Sequence, residues 1–184
     1  MIDHDLLSAM KQVEVTSNAL QTTSWIWGGL TLDIYQGYFM RSHHDLDLLT
    51  LQLHELVGPL TDRFQADGWQ VRRLSNGDLE LEKDSTGVQL GNVSFSREVR
   101  WTHNGDIGSL FFPRDWLSQQ SRRFYDVEIH VVAPEFQYVL LSHPELLNPQ
   151  WVLREKDIAA RARLKTILET DGITVSKLRT MVHN

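Results

Sequence analysis

The chain has 184 residues, 41% of them hydrophobic, enough for one domain with an ordinary core. Eighteen Lys and Arg against 24 Asp and Glu give a formal charge of −6, which argues against non-specific binding to nucleic acid or an anionic membrane and is compatible with a cationic small substrate. There is no cysteine, so disulfides and thiolate chemistry are excluded.

The first residues, "MIDHDLLSAMKQ", are acidic where a signal peptide carries basic residues, and no apolar run follows. No segment approaches the roughly 20 apolar residues of a membrane span. A soluble, cytoplasmic protein is the expectation. Residues 4–20 read as a helix with Leu6, Leu7, Met10 and Val13 on one side, although the β-branched "VEVT" weakens it. "SWIW" is a short strand, followed by Gly28-Gly29 and a short helix, "LTLDIYQG", that Gly37 stops. Leu30 and Ile34 lie one turn apart on that helix, and Asp33 is expected to point away from them.

"DLDLLTL" alternates: Leu46, Leu48 and Thr50 on one face, Asp45, Asp47 and Leu49 on the other. Leu53, Leu56, Val57, Leu60 and Phe64 then repeat at helical spacing up to Asp67-Gly68, and Pro59 is expected to kink or split that helix. "WQVRRL" and "DLELEK" flank an Asn76-Gly77 hairpin, "VQLGNVSF" follows, and Asn104-Gly105 marks a further turn. Residues 69–112 therefore read as an antiparallel meander. "VEIHVVA" is one more strand. Helices are expected from Pro134 to about His143, over 151–169, and from about Thr174. Strands linked mostly by hairpins give an α+β fold, with a mixed, mostly antiparallel sheet flanked by helices. One domain spans 1–184, its C-terminal part, about 134–184, being helical.

Two aspartates inside an apolar strand need an explanation, because ionised carboxylates are costly to bury unless a cation or donors meet them. Period 2 puts Asp45 and Asp47 on one face, and two hard oxygen ligands on a rigid face suit Mg²⁺, which also takes substrate phosphates. Gly28-Gly29 at a helix start lets backbone approach a phosphate. Each feature alone has a plain alternative, a turn for the glycines and a solvated edge face for the aspartates. Together, one short helix apart, they are considerably more specific.

This stretch resembles the antibiotic nucleotidyltransferases of the aminoglycoside 2''-adenylyltransferase and lincosamide nucleotidyltransferase group, within the DNA polymerase beta-like superfamily. The family pattern is Gly-Gly, Leu-Asp, Gly, then Arg-x-His-x-Asp-[Ile/Leu]-Asp. Gly28, Gly29, Leu32, Asp33, Gly37, Arg41, His43, Asp45, Leu46 and Asp47 supply it without a gap. The strong match covers about residues 24–50, and a looser one extends through "DGW" at 67–69 and "RxKD" at 154–157. The resemblance implies a minimal nucleotidyltransferase fold. It implies Mg²⁺ on Asp45 and Asp47, β- and γ-phosphates on Gly28 and Gly29, Arg41 beside the site, and Lys156 as a phosphate contact. The co-substrate would be an NTP, with ATP the expected one, and the acceptor a hydroxyl of a small molecule.

One departure matters. Relatives supply a third carboxylate from a later strand, and by order of elements Gln89 stands there. Gln offers a carbonyl oxygen but no charge, and it is no general base. Glu80 and Glu82 read as the solvent face of a hairpin; Glu128, between apolar residues, is the better substitute and completes the expected catalytic set with Asp45 and Asp47. If no acid reaches the metals, the chain is a degenerate member that binds nucleotide or a protein partner without efficient transfer. A protein or tRNA acceptor is a further alternative, which the acidic balance disfavours for tRNA.

Other eye-catching residues have simpler readings. His43 and His44 point to opposite sides of an extended chain and do not chelate one ion; His43 is expected to orient Asp45 or its loop. Arg41 is alternatively an ion-pair partner of Asp33. Most of the six tryptophans are expected in the core. "FFPRDWL" either walls the acceptor pocket or is pinned to the core by Trp116 and Leu117. Resistance to a drug does not follow from the motif, and neither does the oligomeric state.

Overall fold

The computed structural model describes residues 3–95, 98–102, 109–118 and 120–182; the expected turn at Asn104-Gly105 lies outside them. The fold is organised around β2 (Asp45–Leu51), whose alternation the structure realises. Leu46 and Leu48 face one core, whereas Leu49 faces the other. β2 runs antiparallel to β1 (Ser24–Trp27) on one side and parallel to the long β5 (Thr86–Phe95) on the other. β3 (Gln70–Arg73), β4 (Leu79–Lys83), β5, β6 (Val99–Thr102) and β7 (Ser109–Phe112) are successive antiparallel neighbours, which is the expected meander. β9 (Val127–Val131) pairs parallel with β1 and antiparallel with the short β8 (Arg122–Phe124). The sheet order is β3-β4-β5-β2-β1-β9-β8, with β6 and β7 continuing from β5. The expected α+β architecture, a mixed and mostly antiparallel sheet flanked by helices, is the one observed. β8 was not anticipated; its "RRF" is too short and charged to carry a period.

One sheet face is covered by α1 (His4–Ala19) and α3 (Leu53–Ala66). Leu6, Leu7, Met10 and Val13 are buried as the spacing requires, and Asp3 caps α1 by accepting the Leu6 N–H at 3.0 Å. Buried hydroxyls also tie this helix to the sheet, with Ser17 3.0 Å from Ser24 and Ser24 2.9 Å from Thr50. α3 is not split at Pro59. Glu55, whose carbonyl loses its helical donor, is exposed, as are Gly58 and Pro59.

The other face carries α4 (Pro134–Ser142) and, beyond it, α5 (Glu155–Thr170). α5 starts four residues later than its sequence pattern suggests. The Asp157 carboxylate accepts the Arg154 N–H at 3.1 Å and Nε–H at 2.8 Å, fixing the first turn there and leaving 151–154 non-helical. A seven-residue 3-10 segment, Val175–Met181, replaces the expected last helix. Trp116 and Leu117 are buried, so "FFPRDWL" is pinned to the core.

Leu48 is fully buried in the central strand. Leu48→Ala should lower the unfolding free energy by about 3 kcal/mol, read from urea denaturation, with the m-value unchanged.

Candidate active site

The end of β1 and the start of β2 lie side by side, Trp27 opposite Asp47. Chain then leaves β1 through Gly28, whose φ of +78° is left-handed, into a single 3-10 turn (Gly28–Leu30) and α2 (Thr31–Gln36). A Cβ on Gly28 would lie 2.8 Å from Asp47 Oδ2. Glycine is thus required twice here, by its torsion and by the carboxylate packed against it. The Gly28 N–H donates to Gln137 Oε1 at 2.9 Å, so buried Gln137 of α4 holds the turn. Sequence reasoning missed Gln137; its signal is a lone amide on the otherwise apolar face of "PEFQYVLL".

Asp45 is exposed and Asp47 half-buried, on the same face of β2. Burial, and then the neighbouring Asp45 charge, push the Asp47 carboxyl from 3.8 up to about 6. No basic group is among the causes acting on it. Such a carboxylate is one a divalent cation would relieve, and hard oxygen donors with a glycine-lined gap fit Mg²⁺.

The short loop between α2 and β2 is held by Asp33, whose partner is not the one the sequence offered. Asp33 is 1% exposed; its Oδ2 lies 2.8 Å from His43 Nε2 and accepts the Met40 N–H at 2.9 Å. His43 therefore anchors the loop to α2 through Asp33 and not through Asp45. Arg41 is likewise not the partner of Asp33. It is exposed, donates to the Ser42 carbonyl at 3.0 Å, and lies over the glycine turn, where a Gly29 Cβ would be 2.5 Å from its Nη2. Gly37, with φ of +82°, ends α2 as expected.

Across the gap stands α5. Lys156 is exposed in its first turn and lines the same cavity as Gly28, Gly29, Arg41, Asp45 and Asp47. That cavity has a volume of about 330 Å³. Arg154, whose guanidinium is held up in pKa chiefly by its bond to Asp157, also feels the Asp45 charge.

Gln89 pairs with Asp47 in the parallel register, so it stands on the same face one strand over, where the third carboxylate was expected. Glu80 is its neighbour on β4, but its carboxylate is paired with Arg72. Glu128 does not join the site. β9 pairs Val131 with Ile26, so the level of Asp47 lies one position past Val131, and Glu128 is four residues back. That is roughly 13 Å along the strand. Its carboxylate is exposed and accepts from Ser121 at 3.0 Å. Among the described residues no cluster of three or more His, Cys, Asp or Glu forms a metal-binding group.

A mixed sheet carrying two carboxylates beside a glycine turn defines a nucleotidyltransferase-type fold. The sequence profile of the aminoglycoside-2''-adenylyltransferases matches residues 9–140, and the chain belongs to that family. Among solved structures it is similar to the antibiotic-resistance factor ANT(2'')-Ia in solution, at 17% identity and TM-score 0.71, covering 97% of this chain and 91% of that one. The crystal structure of ANT(2'')-Ia in complex with adenylyl-2''-tobramycin gives 18%, 0.71, 97% and 96%. Lincomycin-bound LnuA, a lincosamide antibiotic adenylyltransferase, gives 18%, 0.65, 91% and 98%. At these identities the likeness is one of fold. A search of curated proteins finds no match.

A carboxyl raised in the folded state holds its proton to higher pH than in the unfolded chain. Its contribution to stability is thus intact below about 3.8 and lost as pH rises through about 6. In metal-free buffer, Asp47→Asn should gain about 1–2 kcal/mol of unfolding free energy above pH 7 and nothing near pH 4. Urea titrations across that range read it.

Proposed function

We propose that the protein is a Mg²⁺-dependent nucleotidyltransferase that moves a nucleoside monophosphate, with ATP as the expected donor, to a hydroxyl of a small molecule. The observation that carries this reading is the approach of the Gly28 backbone to the Asp47 carboxylate, beside Asp45 on the same strand face. Asp45 and Asp47 would hold the metal, which when bound neutralises phosphoryl oxygens and helps align the attacking hydroxyl.

The chain's own residues do the rest. Gly28 and Gly29 leave room for phosphate oxygens against the turn, with Gln137 keeping the turn in place. Arg41 and Lys156 offer positive charge from opposite walls of the cavity to the β- and γ-phosphates. The Asp33–His43 bond keeps Arg41 and the acids at a fixed distance from the glycines. The acceptor oxygen attacks the α-phosphorus, the bond to the bridging oxygen breaks, and pyrophosphate leaves with the electron pair. The hydroxyl proton goes to water, because Gln89 has no basic atom to receive it. Family membership supports this class of chemistry.

Gln89 also favours a second reading, in which the chain binds nucleotide with Mg²⁺ and transfers it poorly or not at all. One set of proteins separates the two. Wild type should bind NTP by calorimetry only when Mg²⁺ is present, and Asp45→Asn should lose that binding by at least about tenfold. Absence of binding in wild type ends both readings. Gln89→Asp should raise transfer at least about tenfold if the natural site is a weakened enzyme; efficient turnover by wild type removes the second reading.

A second outcome concerns the turn. Gly28→Ala should weaken Mg²⁺-dependent nucleotide binding about tenfold and cost about 1 kcal/mol in stability, since its Cβ would meet the Asp47 carboxylate at a positive φ. Gly37→Ala, at a positive φ with open space around it, should cost similar stability and leave binding unchanged.

A further inference from the structure

Gln137 has a second end. The residue is 6% exposed on α4, and its Oε1 accepts the Gly28 N–H at 2.9 Å. That bond fixes the orientation of the amide, because an N–H must face the oxygen and not the nitrogen. Nε2, with its two N–H donors, is therefore turned away from the Gly28 nitrogen. Among the described residues it has no acceptor. Nor is it one of the polar atoms sealed from solvent without a partner, which among the described residues are Thr31 Oγ1, His130 Nδ1 and Ser142 Oγ. Nε2 thus opens on accessible space, and the space that Gln137 lines is the cavity it shares with Gly28, Gly29, Arg41 and Lys156. A donor at this burial is costly to leave unmet.

The same bond bears on the turn. Backbone N–H groups at a glycine turn are ready donors to a phosphate, but the Gly28 N–H is already committed to Gln137. The amide offers donors in its place. Nε2 shares a carbon with Oε1, so it stands beside the turn. Whatever meets it must be an acceptor. Leu140 and Leu141, its neighbours on α4 in the lining, supply none. Asp47 packs against Gly28, yet no side-chain hydrogen bond is among the causes acting on its carboxyl. Arg41 and Lys156 are donors only, and they draw an anion into the same space.

We infer that Gln137 is a polyphosphate-binding residue: with Oε1 held on the Gly28 N–H, its Nε2 donates to a phosphate oxygen of the nucleotide seated at the turn. This rests on the nucleotidyl-transfer reading and adds a contact to that site. One amide then sets both the shape of the turn and the position of the phosphate against it.

The test uses the full chain and inorganic tripolyphosphate, which carries no base, sugar or acceptor, so that phosphate contacts alone are read. In a proton–nitrogen correlation spectrum of the Mg²⁺-loaded wild type, the Gln137 side-chain amide pair, assigned by its absence in Gln137→Glu, should move downfield when tripolyphosphate is added. Gln137→Glu keeps an acceptor for the Gly28 N–H and removes the donor. By calorimetry with Mg²⁺ it should bind tripolyphosphate and ATP at least about tenfold more weakly than wild type, with a thermal melt to verify its folding. A role confined to holding the turn leaves the amide pair unmoved and the affinity of the variant unchanged, and either result overturns the inference. If the variant does not fold, the wild-type spectrum decides. Where wild type binds both ligands and one of these results fails, the nucleotidyl-transfer reading stands without this contact; a wild type that binds neither ligand overturns both.

Discussion

The fold is built to hold one unfavourable charge. Asp47 sits half-buried at the point where β2 passes the turn that leaves β1, with a second carboxylate two residues away and no basic group offsetting it. A site of this kind would be selected against in a scaffold whose only task was stability, since an amide or aliphatic residue there relieves both desolvation and repulsion. What keeps the arrangement in place is the rigidity of its surroundings. β2 is paired on both sides, and its odd and even residues are buried in two separate cores. A slip of one residue would turn both aspartates into α1 and α3, so register and charge placement are the same constraint.

The surrounding parts serve that strand. Gln137 reaches from α4 to the backbone of Gly28, linking the helical layer to the glycine turn. Asp33 and His43, both fully buried, tie the loop before β2 to the helix after the turn. A buried pair of this kind is weak evidence for stability by itself. Its value here is geometric: the loop that presents Arg41 cannot drift relative to the glycines while that bond is made.

Much of this was legible in the sequence, because its signals were local. Period 2 in "DLDLLTL" placed both carboxylates on one face, and the Asn76-Gly77 turn placed the meander that brings β5 beside β2. Gln89 was found by counting strands, and the parallel register then set it opposite Asp47. What escaped was non-local. Glu128 has the right flanks, but only the β1–β9 register reveals that it sits at the other end of the sheet. The bond between Asp33 and His43 depends on how the loop folds back; the sequence offered Arg41 as a partner for Asp33, and Asp45 or its loop for His43. Pro59 was expected to kink or split its helix, and α3 runs through it without a break. Of the two readings of the aromatic loop at 111–117, the structure realises the one in which Trp116 and Leu117 pin it to the core, and apolar residues between 140 and 164 line the cavity.

The closure of Asp33 on His43 has a result for how such a protein can diversify. It ties the glycine turn to the acidic strand within a contiguous span of about twenty residues, from Gly28 to Asp47, which Gln137, Val132 and Tyr125 brace from elsewhere in the chain. The opposite rampart of the cleft comes from a later part of the chain, largely beyond the reach of the family profile, which stops at residue 140. Lys156 apart, side chains on that rampart can change without altering the glycine turn or the strand that carries the two aspartates. One helix and its approach segment can therefore be remodelled, and the shape of the cleft with them, while the turn and the acidic strand keep their geometry.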